Sequence, residues 1–166
     1  MLHLVFDLGH VLVNFEWMLV CYAFSERTNR PNHHVLKAFS VVGELGYETG
    51  KIDTTGFLKA LNKELDSDIS IEEFYRLWNV SFRENKEMAS LLSNLKLNHS
   101  LSLLSNTNEC HYQFIQDNFD IERHFENLIL SYRVGTSKPD PEIYRKVVSL
   151  AREKPENCLF VDDLEP

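Results

Sequence analysis

The chain has 166 residues, of which 43% are hydrophobic and 25% charged, a composition typical of one globular domain or of one domain with an insertion. Its formal net charge of −8 disfavours nucleic acid or an anionic membrane as the main partner, because both attract clustered Lys and Arg. A run of 18 apolar residues is lacking, and Asp7 comes too early for a signal peptide. Cys21, Cys110 and Cys158 are far apart, which is typical of a reduced cytoplasmic protein.

The predicted elements begin with a short buried strand. Residues 2–6 are nearly all apolar, as in a strand that is covered on both faces of a parallel sheet. From residue 15 to about residue 82 the apolar residues recur at helical spacing, and Asp53 and the capping box Ser70-Ile71-Glu72-Glu73 mark helix starts. We therefore predict an all-helical segment over residues 15–82.

After the helical segment, helices and strands alternate. The pattern predicts strands over 101–105, 127–131 and 158–161, and helices over 84–97, over 108–119 and from Asp140-Pro141 onward. Alternation of this kind predicts a parallel sheet with right-handed crossovers. Because the helical segment interrupts the first crossover, we expect it to lie above the carboxyl edge of the sheet as a lid.

Polar residues stand where the predicted strands end. Asp7 follows the first strand, Ser105-Asn106 closes the next one, and Asp162-Asp163 follows the last, while Lys138-Pro139 precedes a helix start. Ligands of open parallel sheets bind outside the carboxyl edge, so we expect these side chains to converge there. Their carboxylates, hydroxyl, amide and ammonium are the groups needed to move a phosphoryl group with a divalent cation.

Four motifs in this order resemble those of the haloacid dehalogenase (HAD) superfamily of hydrolases, in the branch with a helical cap after the first motif. They are FDLGHVLV at 6–13, LLSNTN at 103–108, SKPDP at 137–141 and FVDD at 160–163. Within the superfamily the chain is most similar to bacterial phosphatases that act on hexose 1-phosphates, such as α-D-glucose 1-phosphate. Those share the D-L-G opening and a Glu-x-Gly stretch like that of residues 48–52.

The resemblance implies an α/β fold with a Rossmann-like parallel sheet core and an inserted all-helical cap. The predicted core comprises residues 1–14 and 83–166, and the predicted cap residues 15–82. Related proteins continue past the acidic pair with a helix and at least one further strand, whereas this sequence stops at Pro166. We therefore expect that helix and strand to be missing, which would leave the strand over 158–161 as an exposed edge.

The resemblance also implies catalytic roles. Asp7 would be the nucleophile and would form an aspartyl-phosphate intermediate. The hydroxyl of Ser105 and the backbone N–H of Asn106 would bind phosphoryl oxygens. The ammonium of Lys138 would lie near Asp7 and the phosphoryl group and would neutralise negative charge in the transition state.

The implied cofactor is Mg²⁺, a hard cation that prefers oxygen ligands. Asp7 would supply one ligand oxygen, the backbone carbonyl of Gly9 a second and Asp163 a third. Asp162 would bind the ion directly or through a water molecule. Mg²⁺ at this place would allow the carboxylate nucleophile and the phosphate dianion to approach each other despite their like charges.

Gly9 departs from the pattern of many phosphatases in the superfamily, which have there a second Asp that protonates the leaving group and later activates water. General acid–base catalysis contributes roughly 10²- to 10⁴-fold, so its loss matters. One hypothesis is that His10 takes over part of the role, against the alternative that it packs in the loop or faces solvent. The other is that the leaving group needs less protonation, as does the anomeric hydroxyl of a sugar 1-phosphate.

We therefore predict a cytoplasmic, Mg²⁺-dependent phosphatase whose partner is a small phosphorylated metabolite, with a hexose 1-phosphate as candidate substrate. One alternative is a carbon–halogen hydrolase, which would need no metal. The other is a catalytically degenerate protein that binds a phosphorylated ligand or a protein partner through its cap. In the cap, Glu44, Tyr47 and Glu48 are candidates for binding sugar hydroxyls, against the alternative of an exposed polar turn. The sequence leaves the oligomeric state open.

Overall fold

The computed structural model of the chain describes residues 2–164. Its strands are β1 (His3–Phe6), β2 (Val13–Asn14), β3 (Arg83–Glu84), β4 (Ser100–Ser105), β5 (Asn127–Leu130) and β6 (Cys158–Val161). Its α-helices are α1 (Trp17–Thr28), α2 (Asn32–Gly43), α3 (Thr54–Leu65), α4 (Ile71–Trp78), α5 (Lys86–Leu95), α6 (Glu109–Asn118), α7 (Ser131–Val134) and α8 (Pro141–Ala151). Between residues 2 and 164, no helix combines the length and the apolar character that crossing a membrane requires.

Four parallel strands form the main sheet in the order β5-β4-β1-β6. Val5 of β1 lies opposite Ser102 of β4 and Phe160 of β6, so β1 occupies the interior of the sheet. All residues of β1 are buried, as its apolar sequence predicts for a strand that is covered on both faces. β6 lies at an edge, and Leu159 on it is 51% exposed. The predicted parallel sheet and α/β class are confirmed.

Helices α1 to α4 pack around an aromatic cluster of their own. Phe24 and Phe74 are fully buried there, and Trp78 stacks on Phe74 with ring centroids 5.3 Å apart. The sheet packs against two separate apolar clusters. The division into a core (1–14 and 83–166) and a cap (15–82) remains a prediction, to which the separate packing of the helices lends support.

A short antiparallel ribbon of β2 and β3 lies where the chain enters and leaves the four helices. Val13 pairs with Glu84 and Asn14 with Arg83. The sequence analysis missed this ribbon, because two-residue strands have no measurable periodicity. Glu84 was expected to begin a helix, but α5 begins at Lys86 instead.

The helix starts confirm three predicted caps and correct one detail. Asp53 accepts a hydrogen bond from the Gly56 N–H at 2.7 Å, and Asp140 caps α8 in the same way from the Glu142 N–H. Ser70 caps α4, but Glu73 does not complete the predicted capping box: its Oε1 accepts from Arg27 Nε at 2.6 Å. A charge-assisted hydrogen bond from a guanidinium is stronger than one from a neutral backbone N–H, which explains why Glu73 pairs with Arg27.

The turn Tyr47–Thr49, which follows α2, packs against α7, the short helix that follows β5 of the sheet. Gly50 follows it at a φ of +68°, and a Cβ atom at this position would lie 2.2 Å from the backbone oxygen of Tyr132. The close approach of the two backbones therefore requires glycine for two reasons, the left-handed conformation and the lack of space.

A chain of hydrogen bonds joins the same turn to the start of α6. The Tyr47 hydroxyl lies 2.9 Å from Thr54 Oγ1 and accepts from the Cys110 N–H at 3.3 Å. Thr54 Oγ1 donates to Glu109 Oε2 at 2.9 Å. Tyr47, Thr54 and Cys110 are buried, whereas Glu109 is exposed. The hydrogen bonds give the turn a defined position against the start of α6.

Gly50→Ala should destabilise the protein more than Gly135→Ala does. Both glycines have positive φ, but a Cβ at Gly135 would meet no atom within 4 Å. The strain of the left-handed backbone costs roughly 1 kcal/mol in either variant, and the clash with Tyr132 should add about 1–3 kcal/mol for Gly50→Ala alone. Urea unfolding followed by circular dichroism measures both. Equal losses for the two variants would contradict the described docking of the turn.

Candidate active site

The parallel pairing of β1 with β6 brings two acidic strand ends together. Asp7 follows β1 directly and Asp162 follows β6, and the two strands are neighbours in the sheet. The Asp7 N–H donates to the Val161 carbonyl at 2.9 Å, which continues the strand ladder up to the carboxylates. Neighbouring parallel strands that end together therefore place these side chains side by side, as the sequence analysis expected.

Lys138 lies between the two carboxylates. Its Nζ is 3.0 Å from Asp7 Oδ2 and 2.7 Å from Asp162 Oδ2, and each of the three side chains is only 11–13% exposed. The predicted proximity of Lys138 to Asp7 is thus present in the structure. The ammonium balances two negative groups that would otherwise repel each other in a poorly solvated place.

Asn106 holds Lys138 through its side chain. Its Nδ2 donates to the Lys138 carbonyl at 2.9 Å, and its Oδ1 accepts from the Lys138 N–H at 2.7 Å. The sequence analysis assigned only the backbone N–H of Asn106 to phosphate binding, and that role remains a prediction. The side-chain clamp could not be inferred from sequence, because the two residues are 32 positions apart.

The two carboxyl groups differ in their pKa. Burial raises the pKa of Asp7 above its ordinary value, and the opposing attraction of Lys138 and the hydrogen bond from the Leu8 N–H do not cancel that effect. Burial also acts to raise the pKa of Asp162, but hydrogen bonds from Lys138 and from the Leu164 N–H outweigh it, so the net shift is downward. Asp162 is therefore the more firmly ionised partner of Lys138.

Three carboxylates at this edge suit a hard divalent cation. One oxygen each from Asp7, Asp162 and Asp163 lie within 4.8 Å of one another. Asp163 is exposed, and between residues 2 and 164 its side chain makes no hydrogen bond or ion pair. All donors of the set are carboxylate oxygens, which fits Mg²⁺. The role of each as a ligand, and that of the Gly9 carbonyl, remains a prediction.

Ser105 ends β4 at the same edge and is buried. Within the described residues its hydroxyl makes one long contact, of 3.4 Å to the Asn106 carbonyl, so it is able to donate to another acceptor. Thr107, two residues after Ser105, is fixed by Ser131, whose Oγ accepts from the Thr107 N–H and donates to the Thr107 carbonyl, both at 2.9 Å. Ser131 was predicted as the last residue of the strand over 127–131, without a role, but β5 ends at Leu130 and Ser131 begins α7. A small polar residue directly after an apolar strand is a usable signal.

A cavity of about 520 Å³ lies beside these residues, between the sheet edge and the four helices. Gly9, His10 and residues 105–107 line it from the sheet side, and Trp17 and Glu48 from the helical side. Asp7 does not line the cavity itself, but the next residue, Leu8, does. The cavity is therefore placed to hold the part of a ligand that extends away from the carboxylates.

Phe15 occupies the space next to Gly9. A Cβ atom at Gly9 would lie 3.2 Å from a ring carbon of Phe15, and the ring of His10 stacks on Phe15 with centroids 4.5 Å apart. His10 is exposed, lines the cavity and has a φ of +55°. The structure thus combines the two alternatives for His10, packing on Phe15 and access to the cavity, and its acid–base role remains a prediction.

Of the three cap residues considered for hydroxyl binding, only Glu48 lines this cavity. Tyr47 is buried, with its hydroxyl engaged by Thr54 and Cys110. Glu44 is exposed and lies outside the cavity.

Comparison with known proteins gives matches along nearly the whole chain. The family model of haloacid dehalogenase-like hydrolases matches residues 1–165. D-ribitol-5-phosphate phosphatase of Bacteroides thetaiotaomicron is 27% identical over 174 residues, covering 97% of this chain and 82% of the relative.

The solved structures that are similar in fold include the following two. A wild-type HAD family enzyme of Bacteroides thetaiotaomicron, in complex with magnesium and inorganic phosphate, has a TM-score of 0.87 at 26% identity and covers 99% of this chain and 86% of its own. L-2-haloacid dehalogenase of Xanthobacter autotrophicus, with chloropropionic acid covalently bound, has a TM-score of 0.65 at 20% identity over 96% and 69% of the two chains. The second likeness shows the fold alone.

Asp7→Asn should raise the melting temperature at pH 7 when a chelator is present. Because burial raises the folded-state pKa of Asp7, the folded protein loses stability as the pH rises from the ordinary value of 3.8 through the folded-state pKa. The neutral amide removes that loss, so the gain should shrink as the pH falls toward 3.8. Scanning calorimetry across this pH range measures it, with the exposed helix cap variant Asp140→Asn as control. A lower melting temperature for Asp7→Asn at pH 7 would show that the attraction to Lys138 outweighs burial.

Proposed function

The chain belongs to the haloacid dehalogenase-like hydrolases, and on that premise we propose that it is a Mg²⁺-dependent phosphatase that hydrolyses a small phosphate monoester through an aspartyl-phosphate. The observation that carries the proposal is the gathering of three carboxylates, those of Asp7, Asp162 and Asp163, at the carboxyl edge of the sheet, with the Lys138 ammonium between the first two. The magnesium and inorganic phosphate bound by the similar Bacteroides enzyme, and the activity in the name of the ribitol-phosphate phosphatase, support it.

In the proposed mechanism Asp7 attacks phosphorus in line with the leaving oxygen. The bond from phosphorus to the alcohol oxygen breaks, the alcohol leaves with a proton from the solvent or from His10, and phosphate stays on Asp7 until water hydrolyses it. Ser105 and the Asn106 N–H bind phosphoryl oxygens, and Lys138 stabilises the charge that develops on them. Mg²⁺, when bound by the acidic residues, supplies the positive charge that lets a carboxylate approach a phosphate dianion.

A hexose 1-phosphate is the proposed substrate within this class. Gly9 leaves the usual position of the acid without a proton donor, and an anomeric hydroxyl leaves more readily without protonation than an ordinary alcohol. Ribitol 5-phosphate is the natural comparison substrate, because it is named for a relative. A cytoplasmic location remains a prediction.

The two alternative functions predict different behaviour. A carbon–halogen hydrolase needs no metal ion, so its reaction would survive chelation. A degenerate protein would bind phosphate or a sugar phosphate in the presence of Mg²⁺ without turnover. The acidic cluster disfavours the first alternative, and Gly9, which leaves the usual position of the acid without a proton donor, is the residue that favours the second.

Phosphate release should depend on both Mg²⁺ and Asp7. The assay measures inorganic phosphate from a series of sugar phosphates with Mg²⁺, with excess chelator and after Mg²⁺ is restored. We expect activity only with Mg²⁺, and a fall on the order of 10³-fold or more for Asp7→Asn, because the nucleophile is lost.

Asp140→Asn serves as the matched control, because Asn caps a helix as well as Asp does and this residue lies at the start of α8. It should retain the wild-type rate. Halide release from 2-chloropropionate in the presence of chelator would favour the dehalogenase. Calorimetric binding of a sugar phosphate with Mg²⁺ but without phosphate release would favour the binding protein.

A further inference from the structure

We propose that Ser131 is a positioning residue for phosphoryl transfer: by holding the backbone of Thr107, it fixes the phosphate-binding segment 105–107 relative to Lys138. The inference rests on the proposed phosphatase function and deepens it. It names the contact that aligns two sets of groups on different loops, the donors at the end of β4 that would bind phosphoryl oxygens and the ammonium of Lys138.

Ser131 holds both backbone polar groups of a single residue. It is fully buried and stands directly after β5, at the first position of α7. Its Oγ accepts from the Thr107 N–H and donates to the Thr107 carbonyl, each at 2.9 Å. A hydroxyl has one proton to donate, so these two bonds use its whole donor capacity on Thr107. Because Thr107 is buried as well, both bonds lie away from competing water.

Asn106 makes a second clamp beside the first. Its Nδ2 donates to the Lys138 carbonyl at 2.9 Å, and its Oδ1 accepts from the Lys138 N–H at 2.7 Å. The two clamps start from adjacent residues of the loop after β4, and they reach the first and the last residue of the segment 131–138. This segment is therefore attached to the end of β4 at two points, which opposes a rotation about either one.

The Ser131 clamp continues the order of the sheet into the loop that would bind phosphate. The pairing of β4 with β5 ends at Ser105 and Leu130, so the strand ladder does not fix the loop beyond this pair. Asn106 is exposed, and water competes for the hydrogen bonds of its side chain, whereas both partners of the Ser131 clamp are buried. The Asn106 N–H, one of the proposed phosphate donors, therefore lies between the last ladder pair and the Ser131 clamp.

A displacement of this loop would separate groups that have to act together. The Nζ of Lys138 lies 3.0 Å from Asp7 Oδ2, and it would stabilise charge on the same phosphoryl oxygens that segment 105–107 binds. A reacting group that is misplaced by about 1 Å can lose on the order of 100-fold in rate. Asp7, Asp162 and Asp163 follow other strands, β1 and β6, so loss of the clamp should affect phosphoryl binding and transfer but not metal binding.

The test compares Ser131→Ala and Ser131→Cys with the wild type in the presence of Mg²⁺, on glucose 1-phosphate and on p-nitrophenyl phosphate. Alanine leaves the N–H and the carbonyl of Thr107 without a partner, and cysteine keeps the volume but supplies only a weak donor and acceptor. Both variants should lower kcat by about 10- to 100-fold on either substrate, and inorganic phosphate should inhibit them less strongly than the wild type. The Mg²⁺ concentration that gives half of the maximal rate should stay unchanged.

Ser102→Ala is the matched control. Ser102 is fully buried as well, and its Oγ is hydrogen-bonded to His3 Nε2 at 2.7 Å and to Asn127 Nδ2 at 3.1 Å, the residues that begin β1 and β5. This variant should lower the melting temperature but leave kcat and the inhibition by phosphate unchanged. Wild-type kinetics for either Ser131 variant, or an equal loss of kcat in Ser102→Ala, would overturn the role of Ser131 and leave the phosphatase proposal intact. A wild-type protein without turnover of either ester would overturn both.

Discussion

The sharing of one ammonium group between two buried carboxylates is the interaction on which the rest of the site depends. Asp7 and Asp162 end adjacent parallel strands, and they would repel each other without the Nζ of Lys138, which lies within 3.0 Å of both. The side chain of Asn106 holds the Lys138 backbone from the next strand end. Three strand ends are thereby joined into one ion-paired cluster in which the carboxylates outnumber the ammonium, and Asp163 remains exposed at its margin.

The four helices complete this site from the other side. The sheet edge supplies the three clustered carboxylates and Lys138, and the cavity beside it has a second wall that includes Trp17 of α1 and Glu48 of the turn Tyr47–Thr49, which rests on α7 and α6. This wall carries Glu48, which lines the cavity opposite Gly9 and residues 105–107.

The sequence predicted the parts that depend on local patterns and on strand ends. The strand over 158–161 was placed with its observed bounds, the caps at Asp53 and Asp140 formed, and Asp7, Lys138, Asp162 and Asp163 converge as parallel topology requires. The parts it missed depend on pairs that are distant in sequence. The clamp of Asn106 on Lys138 and the bond of Glu73 to Arg27 have no local signal. Glu48 differs from Glu44 only by its place in the folded chain.

Location of the bound cation tests the central claim most directly. Crystals grown with Mn²⁺ in place of Mg²⁺ would show the ion by its anomalous scattering. We predict an anomalous peak between the carboxylates of Asp7, Asp162 and Asp163, with Lys138 beside it. The peak should be absent from a crystal of Asp7→Asn. A peak at another place, or a crystal that takes up no Mn²⁺ although the three carboxylates are ordered, would contradict it.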